Sequence, residues 1–499
     1  MHTVAGMTSS AVPAASAPRW SPRLWAILVV LCGALFLDAL DVSMVGVALP
    51  SIRADLGLTT SSLQWVVSGY VLGYGGLLLL GGRAADLLGR RRVFLAALAV
   101  FAVASLLGGL ASSAALLIAA RFIKGAAAAF TAPAGLSIIT TTFAEGHERN
   151  RAVSIYSAFG ASGFSLGLVL SGLLTELSWR WTLLLPAPVA LVILVAGIRL
   201  IPRQASQGRR TRRFDVPGAV TVTAAMMLLV SALVGAPQSG WVSPRTLGSF
   251  AAAAVLLAAF SIIERRSRDP LLPLGIFRSA SLSRANVCAL VLFGSYVSFQ
   301  FLVTQYLQIA AGWSALTTAL AFLPAGVVVV IASPRMGPLL DRFGSARMVA
   351  LALGCLVAGY AWFLRIGVQP DYPAVILPSV LLIGAAFGLG FSSLNVQATA
   401  GVPDAEQGLA SGVLQTSFQI GGAIVLAIVT AVVDARGGNR LAAPAALLSA
   451  YKPALEVITG VAALGVAVAV SGLATSRARQ APAGTERRAE QNELESISS

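Results

Sequence analysis

The sequence predicts an all-α polytopic membrane protein built from two related halves. Of its 499 residues, 57% are hydrophobic and only 11% are charged, roughly half the charged fraction of a typical soluble domain. Fourteen apolar runs approach the ~20 residues that a helix needs to cross a bilayer. A short charged motif, G-x-x-x-D-x-x-G, occurs at residues 82–89 and again 255 residues later at 337–344. Such an internal repeat is typical of transporters made of two homologous halves.

The predicted spans are ordered as six, two and six along the chain. The first six are at 25–49, 62–81, 93–113, 115–140, 153–174 and 181–201, the next two at 216–235 and 246–263, and the last six at 285–309, 316–334, 347–366, 374–397, 408–433 and 453–473. An offset of 255 residues is too long for six spans but fits six plus two. The middle pair is therefore interpreted as an insertion between the halves.

This order divides the chain into five segments. We expect a flexible cytoplasmic tail (1–20), an N-terminal six-helix half (21–201), a basic loop with the two inserted spans and the following loop (202–284), a C-terminal six-helix half (285–473) and a disordered cytoplasmic tail (474–499). Most loop arginines fall on the side of the membrane that holds the N-terminus, which the positive-inside rule makes cytoplasmic. With an even number of spans, both termini are then cytoplasmic, and the chain is multi-pass in the plasma (inner) membrane.

Composition and motifs argue against several other classes of protein. The net charge of +15 comes from arginines in short loops rather than on one solvated face, so nucleic acid is not the expected partner. The three cysteines lie inside apolar runs, which indicates neither a disulfide framework nor a metal site. The ATP-binding loop G-x-x-x-x-G-K-[ST] and H-E-x-x-H do not occur, and the single match to G-x-S-x-G, at 163–167, lies inside a predicted span rather than at a strand-to-helix turn. We therefore expect no enzyme, no metal and no cofactor, with a proton gradient as the energy source.

The repeated motif resembles the signature loop of the major facilitator superfamily. In that family the loop joins spans 2 and 3 of each half on the cytoplasmic side and latches the halves together when the protein faces outward. The first copy departs from the family pattern at Leu87, where a basic residue is usual. In the alternative interpretation, Asp86 and Asp341 simply cap helices and offset the charge of nearby arginines. The candidate gate residues are Gly82, Asp86, Gly89, Arg90, Arg91, Gly337, Asp341, Arg342 and Gly344.

Span 1 points to one branch of that superfamily. The stretch Leu40-Asp-Val-Ser-Met-Val-Gly-Val-Ala-Leu-Pro50 resembles L-D-x-T-x-V-N-V-A-L-P of the fourteen-span drug:proton antiporters (EmrB/QacA-like). Ser43 replaces Thr and Gly46 replaces Asn. The likeness covers nearly the whole chain from Trp25 to about Leu473. It implies a major facilitator fold of two six-helix halves plus two inserted central helices, fourteen transmembrane helices in all.

Four charged residues fall deep inside predicted spans, away from the span ends. Asp38 and Asp41 share one face of span 1, and Arg121 and Lys124 share one face of span 4, because a spacing of three places side chains together on a helix. The family has Gln at the position of Lys124. Since unpaired charges in a bilayer cost at least about 2.5–3.5 kcal/mol each, we expect them to pair, with Lys124 compensating Asp38.

This cluster has two interpretations. In the first it is a purely structural ion pair. In the second a carboxylate exchanges a proton with one side of the membrane while Arg121 adjusts its proton affinity. Asp41 is the first candidate for that carboxylate, because it matches the motif, and Asp38 is the second.

Two further sets of residues are candidates for contact and binding. Glycines in span 5 permit close helix packing, although the family's G-P-x-x-G-G is replaced by Gly167-Leu168 and Ser171-Gly172. Polar side chains inside spans are candidates for lining a substrate cavity, or are interhelical contacts and interfacial anchors. The glycines are Gly160, Gly163, Gly167 and Gly172, and the cavity candidates are Gln64, Tyr70, Tyr74, Tyr156, Tyr296, Gln300, Tyr306, Gln415 and Gln419.

Together these features predict a secondary active transporter. We expect it to act as a monomer and to export hydrophobic or amphipathic small molecules, including cationic ones, in exchange for protons by alternating access. A proton-coupled transporter of one specific metabolite is the alternative within transport. A non-transporting membrane receptor or scaffold would have little use for buried charges and paired gate motifs.

Overall fold

The protein is a bundle of long α-helices. A computed structural model describes residues 20–144, 147–202, 215–267, 270, 274–332, 335–402, 404–436 and 444–497. The helices are α1 Pro22–Leu56, α2 Thr60–Leu88, α3 Arg90–Gly109, α4 Ala114–Thr142, α5 His147–Leu177, α6 Arg180–Leu184, α7 Pro186–Leu200, α8 Val216–Ser239, α9 Pro244–Arg266, α10 Ala280–Gln305, α11 Ala315–Ala332, α12 Met336–Phe343, α13 Ser345–Phe363, α14 Leu377–Thr399, α15 Asp404–Ala435 and α16 Pro444–Ile497. A 3-10 turn covers Leu274–Arg278, and single π turns cover Tyr306–Ala310 and Tyr372–Ile376.

Every predicted span falls on one of these helices, with α6 and α7 together forming the sixth. Within the described residues, eleven helices are long and apolar enough to cross a membrane, and two shorter apolar segments lie at Ser162–Leu177 and Pro217–Leu233. The chain is therefore an all-α integral membrane protein, as predicted. The count of fourteen spans stays a prediction.

Short polar side chains begin several of the helices. The hydroxyl of Ser21 accepts a hydrogen bond from the backbone of α1, and those of Ser113 and Ser279 do the same for α4 and α10, each at 3.3 Å. These bonds satisfy N–H groups that have no partner within the helix. They help to fix the residue at which each of these three helices begins.

The two halves repeat one packing pattern. In the N-terminal half α1 packs on α5, α2 on α4, α3 on α4 and α3 on α7. The C-terminal half repeats these contacts as α10 on α15, α11 on α14, α13 on α14 and α13 on α16. The halves meet along two seams, α5 against α11 and α2 against α15. The internal repeat inferred from the gate motifs is thus present in the tertiary structure.

The inserted helices α8 and α9 pack on each other and cover one seam. Helix α8 contacts both α2 and α15, where Val71, Val230 and Ala423 form one buried cluster. Met227 of α8 lies beside Gly76 of α2, where an added Cβ would lie 3.4 Å from the side chain of Met227. The pair therefore breaks the symmetry of the bundle, because it lies against the α2–α15 seam.

The two gate motifs are mostly helical rather than loops, which corrects the expectation from the sequence. Residues 82–88 form the end of α2, and Gly337 to Phe343 lie within the short helix α12. Their alanines, leucines and arginines are good helix formers. Only the final glycines turn the chain, with φ of 95° at Gly89 and 78° at Gly344, a region that favours glycine.

The N-terminal tail and the basic loop of the chain are largely outside the described residues. Residues 1–19, most of the predicted N-terminal tail, and 203–214, the arginine-rich loop, lie outside the described residues. The backbone of α16 continues as helix to Ile497, through the segment where a disordered tail is predicted. Alanine, arginine, glutamate and glutamine dominate that segment, and all four favour helix.

Candidate functional site

Close contact between α1 and α5 holds Asp41 in place. A Cβ at Gly163 would lie 2.4 Å from the carbonyl oxygen of Phe36, and one at Gly167 would lie 2.7 Å from that of Leu40. Only glycine allows two backbones to come this close. Gly160 also faces α1, whereas Gly172 packs on α11 of the other half. In the structure, the span-5 glycines thus lie where helices come close together.

The same device positions the basic residues of α4. A Cβ at Gly125 would lie 2.0 Å from the carbonyl oxygen of Tyr70, and one at Gly73 would lie 2.2 Å from that of Phe122. Helices α2 and α4 are therefore in backbone contact on both sides of the segment from Arg121 to Gly125. This packing fixes the height at which the two cationic side chains leave α4.

Asp41 forms ion pairs with both cations. Its Oδ2 accepts a hydrogen bond from Nη1 of Arg121, and its Oδ1 accepts one from Nζ of Lys124. Asp41 and Lys124 are 0% exposed and Arg121 is 2% exposed. The sequence predicted that Lys124 pairs with Asp38. The structure corrects this, because α4 directs both cations toward the later of the two acids.

Arg121 and Lys124 have further partners, and the number of these partners differs. Nε of Arg121 donates to the carbonyl oxygen of Val66 at 3.1 Å, and its guanidinium lies 4.6 Å from the ring centre of Tyr70. Nζ of Lys124 lies 4.9 Å from the ring centre of Phe101 on α3. Arg121 is thus fixed by three groups and Lys124 by two. Phe101 is not among the residues predicted from the sequence, since a single aromatic residue in an apolar span does not stand out from its neighbours.

Asp38 lies in the same interior but outside this ion-pair network. It is 7% exposed, and its Oδ2 has no hydrogen-bond partner among the described residues. Lys124 is within electrostatic range of it, as are Asp41, Tyr70, Tyr74 and Tyr156. The four predicted charged residues are therefore brought together, but only three of them are joined by hydrogen bonds.

The tyrosine candidates of the N-terminal half are buried beside this cluster. Tyr70 and Tyr74 stack with ring centres 6.0 Å apart. The hydroxyl of Tyr156 donates to the carbonyl oxygen of Ala132 at 3.3 Å. All three belong to the packed interior of their half, so the structure makes them contacts around the charges.

The candidates of the C-terminal half have separate partners. Tyr296 lies between Phe164 of α5 and Phe387 of α14, with ring centres 5.6 and 4.6 Å away. The hydroxyl of Tyr306 donates to the carbonyl oxygen of Gly367. Gln415 and Gln419 are half-buried on α15, and Gln419 faces Gly75 across the α2–α15 seam. Aromatic and amide groups occupy this side of the interior.

Gln64 and Gln300 lie in contacts between the halves, near the end of the bundle that is predicted to face outward. Oε1 of Gln64 accepts a hydrogen bond from Thr430 of α15 at 3.0 Å. Gln300 is 6% exposed and packs on Gly46, whose Cβ would lie 3.0 Å from Nε2 of Gln300. About two turns further along the chain, Gln308 donates to the carbonyl oxygen of Val47 at 3.0 Å. At this end the halves are joined.

At the opposite end, the gate arginines bond within their own half. Arg90 donates to the carbonyl oxygen of Ser137 at 3.2 Å, and Arg91 to those of Ile198 and Ile201 at 2.7 and 2.8 Å. Asp341 and Arg342 are exposed. The side chain of Asp86 lies outside the described residues.

Comparison with known proteins identifies the family. The sequence profile of the Major Facilitator Superfamily matches residues 31–426. A puromycin resistance protein of Streptomyces alboniger is 40% identical over 85% of each chain. A cephamycin export protein of Amycolatopsis lactamdurans is 39% identical over 92% of this chain and 94% of its own. A lincomycin resistance protein of Streptomyces lincolnensis is 35% identical over 82% and 84%.

Solved structures show the same fold. A nucleoside transporter superposes on 89% of this chain and 99% of its own with a TM-score of 0.61, at 14% identity. A proton-dependent oligopeptide transporter covers 91% of this chain and 99% of its own with a TM-score of 0.62, at 12% identity. Since the repeated packing, the gate motifs, the sequence profile and these structures agree, the chain belongs to the major facilitator superfamily.

Proposed function

We propose that the chain is a secondary active exporter of the fourteen-span drug:proton antiporter branch. It moves hydrophobic or amphipathic antibiotics across the plasma membrane in exchange for protons, acts as a monomer and has both termini in the cytoplasm. The observation that carries the proposal is the buried ion-pair network of Asp41, Arg121 and Lys124 beside the second acid Asp38. Ionisable groups at such depth in a membrane protein mark ion pathways and proton relays.

The relatives support the substrate class. Their names record resistance to or export of puromycin, cephamycin and lincomycin, and a further relative, 32% identical over 84% of this chain, is a tetracenomycin C resistance and export protein. These are different antibiotics handled by one type of chain. Aromatic and amide side chains such as Tyr296 and Gln419 lie among the spans and would supply the apolar and hydrogen-bonding groups that such ligands need.

The distribution of contacts between the halves supports alternating access. Contacts such as Gln64 with Thr430 and Gln308 with Val47 close the predicted outer end, whereas the gate arginines at the other end bond within one half. In the proposed cycle, these outer contacts keep the outer end closed while substrate enters from the cytoplasm. Export requires these outer contacts to break and the gate motifs to engage.

A drug panel tests the proposal. The full chain is produced in a bacterial host without its own drug pumps, and resistance and intracellular accumulation are measured for puromycin, a cephamycin, lincomycin and tetracenomycin C. Purified protein in liposomes is then assayed for drug transport driven by an imposed pH gradient. We expect lower accumulation of at least two drugs and gradient-driven transport in the liposomes.

A matched pair of variants controls the test. Asp41→Asn is expected to abolish gradient-driven transport, whereas Asp371→Asn removes an exposed carboxylate that caps a helix through Ala374, a role asparagine also performs. Transport confined to one compound would favour the single-metabolite transporter. Ligand binding without any counterflow of labelled drug would contradict transport altogether.

A further inference from the structure

The charge count inside the N-terminal half suggests which acid carries the proton. The family pattern supplies one acid and one base at these positions, Asp41 and Arg121, with Gln where this chain has Lys124. This chain adds one acid, Asp38, and one base, Lys124. When all four are ionised the interior is neutral, and when one acid holds a proton the interior carries one positive charge.

Both carboxylate oxygens of Asp41 are paired with cations. Each of its oxygens contacts a different cation, and the residue is 0% exposed. A proton could bind only by displacing Arg121 or Lys124, which would leave a buried cation without its partner. Losing one partner of a buried ion pair commonly costs about 3–5 kcal/mol. Asp41 therefore remains ionised and ties α1 to α4.

Asp38 is in the opposite situation. It is 7% exposed, and its Oδ2 lacks a hydrogen-bond partner in the described part of the chain. The groups that act on it electrostatically come from each neighbouring helix: Asp41 of α1, Tyr70 and Tyr74 of α2, Lys124 of α4 and Tyr156 of α5. Of these, Lys124 alone is a cation, and its ammonium is hydrogen-bonded to Asp41. A buried carboxylate in such a place is stable in its neutral form.

We infer that Asp38 carries the transported proton and that Lys124 changes its partner when the proton leaves. This rests on the proposed proton-coupled export. When the O–H bond of Asp38 breaks, the proton passes to a water molecule and the electron pair stays on the carboxylate, so no redox step is involved. The new anion attracts the Lys124 ammonium, which has three N–H donors and a flexible stem. Arg121 stays on Asp41.

The different anchoring of the two cations makes this exchange feasible. Arg121 is held by Asp41, by the carbonyl oxygen of Val66 and by the ring of Tyr70. Lys124 has Asp41 and the ring of Phe101. Moving Lys124 breaks two contacts and forms one new ion pair, whereas moving Arg121 would break three contacts. Lys124 also directly precedes Gly125, which is in backbone contact with α2.

Infrared difference spectroscopy tests the inference on the full-length protein in lipid. A protonated carboxyl group has its own C=O stretching band, which disappears when the group ionises. We expect a band in the wild type that titrates, that is lost in Asp38→Asn and that is unchanged in Asp41→Glu and Asp371→Asn. In Lys124→Gln the band should persist to higher pH, because the ammonium group that would stabilise the ionised form of Asp38 is gone.

Several results would overturn the inference. They are a titrating band that survives in Asp38→Asn, a band that moves in Asp41→Glu, or no titrating carboxyl band in the wild type. Because asparagine mimics a protonated aspartate, Asp38→Asn should fold as the wild type does, which thermal unfolding checks. Gradient-driven transport by wild-type liposomes is measured in parallel. Its absence would contradict the proposed proton coupling, while the infrared assignment of the band would still be decided separately.

Discussion

The two halves of the protein share one backbone arrangement and differ in the chemistry placed on it. Gly163 of α5 touches the carbonyl of Phe36 on α1, and Gly421 of α15 touches that of Leu290 on α10 in the same way. Five residues beyond Phe36 is Asp41, and five beyond Leu290 is Ser295. The counterpart of the charged centre is thus a small hydroxyl.

The counterpart of the basic helix is equally uncharged. Gly125 of α4 touches the carbonyl of Tyr70, and Gly384 of α14 touches that of Ala325. The residues directly before these glycines are Lys124 and Ile383. Glycine contacts therefore preserve the architecture of both halves, whereas, among the described residues of the two halves, the buried charged side chains lie in the first.

The strongest test exchanges the acid and its counterpart for alanine. Asp41→Ala leaves two buried cations without their anion, so we expect a loss of about 3–5 kcal/mol and little folded protein. Ser295→Ala removes bonds to the carbonyl of Val291 at 2.7 Å and from Tyr360 at 3.3 Å, which costs about 0.5–1.5 kcal/mol. Thermal unfolding in detergent measures both. Equal losses would show that the halves do not differ in this way.

A second test asks whether the glycine contacts are equivalent. Alanine at Gly163 or at Gly421 would place a Cβ 2.4 or 2.1 Å from a carbonyl oxygen, and such overpacking typically costs about 1–3 kcal/mol. We expect similar losses of stability in the two halves. Gly354→Ala is the control, because its Cβ would meet nothing within 4 Å and alanine is the better helix former. A loss at only one of the two sites would break the structural equivalence.

The seams between the halves give a third, asymmetric pair. Gly172 lies nine residues after Gly163, and Thr430 nine after Gly421. At one seam a Cβ at Gly172 would lie 2.8 Å from Ala319, while at the other Thr430 donates to Gln64 at 3.0 Å. Thr430→Val should therefore cost only about 0.5–1.5 kcal/mol and ease opening of the outer end, whereas Gly172→Thr should prevent close packing.

Cysteine accessibility distinguishes these two outcomes. A reporter cysteine introduced as Leu63→Cys, beside Gln64 at a position that is buried in the structure, should react faster with a water-soluble thiol reagent in the Thr430→Val background. An unchanged rate would mean that this hydrogen bond does not hold the outer end closed.

The smallest expected effect is at the gate motifs. Asp86→Ala and Asp341→Ala should each slow exchange of labelled substrate and change substrate affinity less, because neither residue belongs to the interior around the charges. The two variants should resemble each other, since both acids occupy the same place in the repeated motif. Loss of binding with normal cycling of residual substrate would contradict a gate function.

The helical membrane class, the two halves, the insertion between them and the four charges of the interior could all be predicted from the sequence. These features follow from local properties. Hydrophobic length predicts a span, a repeated motif reveals the halves, and a spacing of three places Asp38 with Asp41 and Arg121 with Lys124 on single helix faces.

Which of these groups are in contact could not be predicted from the sequence and became clear from the fold. Lys124 meets Asp41 and not Asp38, Phe101 lies under its ammonium, and Gln64 finds Thr430 on the other side of the molecule. Spacing along a helix fixes the face of a side chain but not the rotation or height of the neighbouring helix. Those are set by backbone contacts at glycines such as Gly125 and Gly167, and a shift of one helical turn, about 5.4 Å, would have paired the charges differently.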